Sequence, residues 1–273
     1  MVRLCCIPDF RQSPTSLLKS ISRTRFIRRA LFFYAKFQGV SFELFLFDVY
    51  SYYMGYRYVD FAPGEIYHVF TRGVEKRKIF LYDADKVRFL SLLIHCLSQG
   101  QIQSFSVAQK LHKPTEITDA GEGLVDILSY CLMNNHFHLL LKENIDRGIS
   151  LYMHRLLTSY AMYFNKRSDR SGALFVRPFK AVLVDADEQF LHVTRYIHLN
   201  PFAANLVTDP LKYRWSSLNE YISDSVEKAT CHHELLGEMM KKKEYREFVL
   251  DQADYEQSLN DNYHLLIDDE DTP

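Results

Sequence analysis

Residues 124–142 read LVDILSYCLMNNHFHLLLK. β-prone and apolar residues run from Leu124 to Leu132, and a second run extends from His136 to Lys142. The two runs are separated only by Met133–Asn135, a short segment with the polar residues typical of a tight turn. Two such runs joined by a short turn predict an antiparallel β-hairpin.

Further elements are predicted on both sides of this hairpin, from β-prone runs and from apolar residues at helical spacing. In chain order they are strand Ile66–Thr71, helix Asp83–Ser98, a polar loop over 99–123, the hairpin, a helix from Ser150 (its N-cap) to Ser168, strand Lys180–Val184, and a helix over Asp187–Leu199 that ends before Asn200-Pro201. This order predicts an α+β fold in which helices pack on one face of an antiparallel sheet.

Two histidines stand out in the second strand of the hairpin. Side chains two residues apart in a strand share a face, so His136 and His138 project together while Phe137 points into the core. Two neighbouring imidazoles form a bidentate platform for a divalent metal ion. The alternative is a pair of solvated or hydrogen-bonded histidines on a half-exposed sheet, and an HxH pattern alone does not distinguish the two.

A second candidate site is RYIHLNP, residues 195–201, at the end of the last predicted core helix. Tyr196 and Asn200 are four residues apart and therefore share one helix face. A tyrosine hydroxyl can act as a covalent nucleophile, and an asparagine carbonyl is a hard oxygen ligand suited to Mg²⁺ or Mn²⁺. The alternative gives Tyr196 a core position and makes Asn200 a helix stop before proline.

Charge is unevenly distributed, although the chain has a net charge of only −1. Residues 147–180 hold seven basic side chains and one acidic side chain, with interleaved aromatic residues. Basic groups neutralise phosphates and exposed aromatic rings stack on bases, which favours single-stranded nucleic acid as a partner. The alternative to base stacking is that these aromatic residues pack in the core. They are Tyr152, Tyr160, Tyr163, Phe164, Phe175 and Phe179.

Composition divides the chain into three predicted parts. Residues 1–53 form a basic extension, with 8 Lys and Arg against 3 Asp and Glu, and are either an amphipathic arm or a translated leader preceding a start at Met54. Residues 54–221 form the main domain, and 222–273 form an acidic helical or disordered tail. Five cysteines without CxxC spacing favour a reducing compartment. Charged residues interrupt the apolar N-terminal stretch, so we expect a cytoplasmic protein without a membrane span.

Taken together, four motifs in this order resemble the single-tyrosine HUH transposases, most closely the REP-associated branch. They are YHVFTRG, MNNHFHLLL, LFVRPFKA and RYIHLNPFAANLV, and the resemblance covers about residues 60–220. It implies a ferredoxin-like core that carries the histidine pair. His136 and His138 match the metal-binding histidines, Tyr196 the nucleophile and Asn200 the polar ligand. Arg177-Pro178 departs from the Gly-Arg found in much of the family.

The resemblance implies a metal-dependent enzyme that nicks single-stranded DNA beside a hairpin and transfers the strand. Tyr196 would form a 5′-phosphotyrosine link, with Mg²⁺ or Mn²⁺ as the cofactor and a monomer or homodimer as the active form. We expect four basic residues to contact DNA: Arg72, Arg155, Arg177 and Lys180. The main alternative is a hairpin-binding protein derived from a transposase that no longer cleaves. Two others are a phosphoesterase that uses water and an unrelated α+β domain, in which the site residues would be scattered.

Overall fold

The computed structural model describes residues 59–100, 102–110, 123–223, 230–232 and 234–251. The proposed N-terminal extension and the choice of Met54 as the start lie outside these residues, as do 111–122 of the predicted loop and 252–273 of the tail. The elements are β1 (Ile66–Arg72), α1 (Asp83–His95), α2 (Phe105–Lys110), β2 (Val125–Leu132), β3 (His136–Glu143), α3 (Gly148–Arg167), β4 (Lys180–Val184), α4 (Asp187–Ala203), α5 (Leu218–Ile222), α6 (Glu234–Met239) and α7 (Lys242–Leu250).

The four strands of the described region form one sheet in the order β2-β3-β1-β4. Every neighbouring pair is antiparallel, including the predicted hairpin of β2 and β3. Helix α1 connects β1 to β2, and α3 connects β3 to β4. A strand–helix–strand–strand–helix–strand chain with its first strand at the centre of the sheet is the ferredoxin-like arrangement. The predicted α+β class and antiparallel sheet are therefore confirmed.

Helices α1 and α3 cover the face of the sheet that carries Phe137. The ring of Phe89 in α1 lies 4.8 Å from that of Phe137, and the ring of Tyr160 in α3 lies 5.0 Å from that of Phe89. The prediction that helices pack on one face of the sheet is therefore correct for α1 and α3. Helix α4 lies over the opposite face, where His198 contacts Ser129 of β2. This second layer brings the helix that carries Tyr196 onto the histidine face.

The beginning of α3 differs from the prediction. Ser150 was expected to be the N-cap, but the helix starts at Gly148. The Glu143 carboxylate accepts a hydrogen bond from the Ile149 N–H at 3.0 Å, and so takes the role of the capping group. A Cβ at Gly148 would lie 2.2 Å from the Leu124 carbonyl oxygen. The close approach of the helix end to the start of the hairpin therefore sets where α3 begins.

Replacing Gly148 with alanine is expected to destabilise the fold, because the new methyl group meets backbone and cannot be relieved by a side-chain rotation. We expect a loss of about 1–3 kcal/mol in the free energy of unfolding, measured by urea denaturation. Gly237→Ala is the matched control, since a Cβ at this helical glycine meets no atom within 4 Å. Unchanged or increased stability of Gly148→Ala would contradict the packing described here.

Helix α4 also differs from the prediction, which ended it at Leu199. It continues to Ala203 with Pro201 inside it. Proline destabilises a helix most when it lies in the helix interior, but only two helical residues follow Pro201. The Asn200 side-chain amide donates to the Tyr196 carbonyl oxygen at 3.0 Å, adding a bond in the turn that the proline interrupts. The helix therefore passes through the residues that sequence analysis took as its stop.

Part of the region assigned to the acidic tail packs on the main body. Helix α7 buries Tyr245 and Val249 completely. The Tyr245 hydroxyl lies 2.8 Å from His198 Nδ1 of α4, and the Phe248 ring lies 4.1 Å from the Arg195 guanidinium carbon. Helix α7 is therefore packed against the back of α4. None of the helices in the described residues is long and apolar enough to cross a membrane.

Candidate active site

The site is built on the sheet face opposite Phe137. Strand β3 places His136 and His138 on this face, and the antiparallel register aligns β1 with it. Arg72 is the cross-strand partner of His136, and Phe70 is the partner of His138. Phe70 also pairs with Lys180 of β4. Because cross-strand partners share a face, one surface carries the imidazoles of His136 and His138. Arg72 lies beside His136 on this surface, and Lys180 lies beside Phe70.

The two predicted ligand histidines are adjacent and held by neighbours. Their ring centroids are 5.1 Å apart, at nearly right angles. His136 Nδ1 lies 2.6 Å from Asn135 Oδ1. An amide oxygen only accepts, so His136 Nδ1 carries the proton and Nε2 carries the lone pair. His138 is held in turn by His68, a third histidine that the sequence analysis did not assign.

His68 lies on β1 and is completely buried. Its Nε2 lies 2.9 Å from His138 Nδ1. The two rings are inclined by only 14°, with centroids 5.1 Å apart. The facing nitrogens are therefore much closer than the ring centres, so the imidazoles meet edge to edge in an in-plane hydrogen bond. His68 occurs in the YHVFTRG motif, but its contact with His138 depends on strand register, which the motif does not reveal.

All three histidines are neutral at physiological pH. Burial lowers the pKa of His68 to about 3. Burial, and secondly the positive charge of Arg72, lowers the pKa of His136 to about 4. Burial and then the neighbouring histidines lower the pKa of His138 well below its ordinary value. A neutral imidazole keeps one lone pair, which is the form that binds a metal ion.

Tyr196 stands directly over this histidine cluster. Its ring meets His138 edge to face at 5.7 Å between centroids and meets His68 at 6.1 Å. Tyr196 is half-buried, as is Asn200 one turn further along α4. The bond from the Asn200 amide nitrogen to the Tyr196 carbonyl confirms that the two residues share a helix face. The reading as an unrelated domain required scattered residues, and this geometry contradicts it.

The four basic residues predicted to contact DNA have different surroundings. Arg72 is exposed at the end of β1, and Lys180 lies with its ammonium 5.9 Å from the Phe70 ring centre. Arg177 is exposed in the segment before β4, next to Val176, whose N–H bonds the Arg72 carbonyl. Arg155 instead donates to the carbonyl oxygens of Ser98 and Gly100 and so tethers the chain after α1. Contact of these residues with DNA stays a prediction.

The aromatic residues interleaved with the basic ones belong mainly to the core. Tyr163 is the half-buried member of the six, and its hydroxyl donates to Asp85 at 3.0 Å. The alternative of core packing is therefore correct for most of this set, and the buried rings offer no surface on which a base could stack. The five buried members are Tyr152, Tyr160, Phe164, Phe175 and Phe179.

His198, two residues after Tyr196, has a structural role. It is fully buried, and its Nε2 lies 2.8 Å from Ser217 Oγ and 3.1 Å from Ser129 Oγ. Its Nδ1 lies 2.8 Å from the Tyr245 hydroxyl. One imidazole thus joins α4 to β2, to the segment before α5 and to α7. This network fixes the helix that positions Tyr196.

The His198 network predicts sensitivity to acid. Burial lowers the pKa of His198 from 6.5 to about 3. Between these two pH values His198 is neutral in the folded chain and protonated in the unfolded chain. The stabilisation is complete above pH 6.5 and is lost as pH falls towards 3, at up to about 1.4 kcal/mol per pH unit. Urea unfolding between pH 7 and 5 measures this loss.

His198→Asn should make the slope of unfolding free energy against pH shallower by about one proton. The control is His154→Gln, which replaces a histidine that is exposed on α3. Equal slopes for wild type and His198→Asn would contradict a histidine that is buried and neutral in the folded state.

The predicted metal ligands fit a divalent cation in their donor chemistry. Among the described side chains, no group of three or more His, Cys, Asp or Glu is arranged to hold a metal ion. The predicted set is different, since it joins two imidazoles to the amide oxygen of Asn200. Nδ1 is the engaged atom in both His136 and His138, so Nε2 is the atom that would bind a cation. The amide oxygen suits Mg²⁺ or Mn²⁺, and the two imidazoles are donors suited to a divalent transition-metal ion.

Comparison with known proteins adds to this geometry. The model of the family described as IS200-like transposases matches residues 107–200. The chain is also similar to the solved structure of a REP-associated tyrosine transposase bound to a REP hairpin, with 14% identity and a TM-score of 0.42 over 62% of this chain and 85% of that one. None of the curated proteins compared with the chain matches it. The family match confirms the resemblance to transposases found in the sequence, and it covers the stretch that contains both histidines, Tyr196 and Asn200.

Proposed function

We propose that this chain is a metal-dependent transposase that nicks single-stranded DNA beside a hairpin and transfers the strand. The observation that carries the proposal is the position of Tyr196 over the histidine cluster, 5.7 Å from His138 between ring centres. A tyrosine in a core role would not require the neutral imidazoles that lie against its ring. The match of residues 107–200 to IS200-like transposases supports the same reaction class.

In the proposed reaction, the Tyr196 oxygen attacks the scissile phosphorus. A bond forms between that oxygen and phosphorus, and the bond from phosphorus to the 3′ oxygen breaks. The hydroxyl proton passes to solvent, and the departing 3′ oxygen takes up a proton to become a hydroxyl. The 5′-phosphotyrosine retains a phosphodiester, so a 3′ hydroxyl can later reverse the step and join strands without ATP.

The surrounding residues would bind the DNA and stabilise the charge. Arg72 and Lys180 lie on the same sheet face as the histidines and supply positive charge for phosphates. A divalent cation held by His136, His138 and Asn200 would neutralise charge that develops on the phosphate oxygens. The helix that carries Tyr196 is held from behind by His198, which fixes the position of that helix.

The proposal is tested by incubating the protein with labelled single-stranded hairpin oligonucleotides and Mg²⁺. The panel should be drawn from repeated palindromes of the genome that encodes the chain. We expect a protein–DNA adduct that survives denaturation and a released fragment ending in a 3′ hydroxyl. Hairpin binding without an adduct across the panel would favour the alternative, a derived protein that binds but does not cleave.

A further inference from the structure

We propose that His68 is a positioning residue that sets the proton of His138 on Nδ1 and so presents Nε2 as a metal-binding atom. The inference deepens the proposed function and rests on it for the identity of the bound group. Its basis is the edge-to-edge hydrogen bond between His68 Nε2 and His138 Nδ1, at 2.9 Å in the interior. Sequence motifs had assigned no role to His68.

The hydrogen bond allows only two arrangements. If His68 Nε2 donates, then His138 Nδ1 accepts and the proton of neutral His138 lies on Nε2, where it blocks ligation. If His138 Nδ1 donates, then His68 Nε2 accepts and His138 Nε2 keeps its lone pair. Only the second arrangement is compatible with a ligand role for His138.

His136, in the same site, is a precedent for the second arrangement. His136 Nδ1 must donate, because Asn135 Oδ1 can only accept. Histidines that bind metals commonly donate their second ring N–H to a neighbouring acceptor, which fixes both tautomer and ring orientation. With His68 as the acceptor, both histidines present Nε2 from the same sheet face.

His68 also lies against the proposed nucleophile. His68 is the cross-strand partner of Leu140. It lies two residues before Phe70 on β1 and so shares the face that carries the Phe70–His138 pair. Its ring also meets Tyr196 edge to face at 6.1 Å. One buried side chain therefore contacts both a proposed ligand and the proposed nucleophile.

The direct test is ¹⁵N nuclear magnetic resonance of histidine side chains in the full chain, without metal or DNA. The signals of His138 are assigned by their loss in His138→Gln. We expect the His138 proton on Nδ1 and an unprotonated Nε2. A proton on Nε2 overturns the proposal, and this readout needs no variant of His68 to fold.

A matched pair of variants provides the second test. His68→Leu removes the acceptor, whereas His68→Gln retains an amide oxygen that can accept. We expect His68→Leu to weaken Mn²⁺ binding by about 10–100-fold in calorimetric titration, with His68→Gln closer to wild type. Hairpin binding should not change. Wild-type affinity in a folded His68→Leu overturns the proposal, even if covalent cleavage is observed. Conversely, a failed adduct assay with the expected tautomer rejects the proposed function alone.

Discussion

Tyr196→Phe is expected to abolish the covalent protein–DNA adduct and to reduce cleavage of hairpin DNA by about 10³-fold or more, as loss of a covalent nucleophile does in other enzymes. The variant loses one oxygen and keeps the ring that contacts His138 and His68. The sheet face and its basic residues are unchanged, so hairpin affinity should stay within a few-fold of wild type. The measurement is adduct formation on a denaturing gel beside a binding titration.

Tyr82→Phe is the matched control for this experiment. Tyr82 is 62% exposed, and its ring lies 4.6 Å from the Arg167 guanidinium carbon, away from the histidine cluster. Its hydroxyl can be removed without affecting the proposed chemistry. Retained turnover in Tyr196→Phe would contradict the nucleophile role and would favour a phosphoesterase that activates water.

Joint replacement of His136 and His138 with leucine is expected to remove Mn²⁺ binding and to lower cleavage by at least about 100-fold. Both imidazoles present Nε2 from one surface, and leucine has a similar size but no atom that can bind the cation. Tyr196 remains in place, so loss of activity in this variant isolates the contribution of the cation. Calorimetric titration with Mn²⁺ and the adduct assay measure the two effects separately.

Two controls make this result specific. His154→Gln changes an exposed histidine on α3 and should bind Mn²⁺ and cleave DNA like wild type. Chelation of the cation with EDTA should reproduce the effect of the double variant, and added Mg²⁺ should reverse it. Full cleavage by the double variant, or cleavage in the presence of EDTA, would rule out the proposed dependence on a metal ion.

The parts of this fold that sequence predicts well are those in which local patterning decides the outcome. The hairpin is one example, because alternation along β3 puts Phe137 in the core and His138 on the other face regardless of the remaining chain. Strand β4 is another, with the bounds Lys180–Val184 as predicted. The pair Tyr196 and Asn200 follows from helical spacing in the same way.

The missed features depend on contacts between segments that are distant in the chain. His68 becomes part of the site only because β1 pairs with β3 in one particular register. Glu143 displaces Ser150 as the cap of α3 because the helix end approaches the hairpin closely. The aromatic residues of α3 were ambiguous for the same reason, since spacing does not show which side of a helix a neighbouring sheet will cover.

The role of Tyr196 as nucleophile is tested most simply by identifying the residue that becomes linked to DNA. Trypsin cleavage after Arg195 and Lys212 yields a peptide of residues 196–212, which contains Tyr196 as its single tyrosine. After nuclease trimming of the adduct, mass spectrometry should find this peptide carrying a 5′-linked nucleotide on Tyr196. A nucleotide on any other residue, or nicked hairpin DNA with no linked peptide, would contradict the role of Tyr196 as nucleophile.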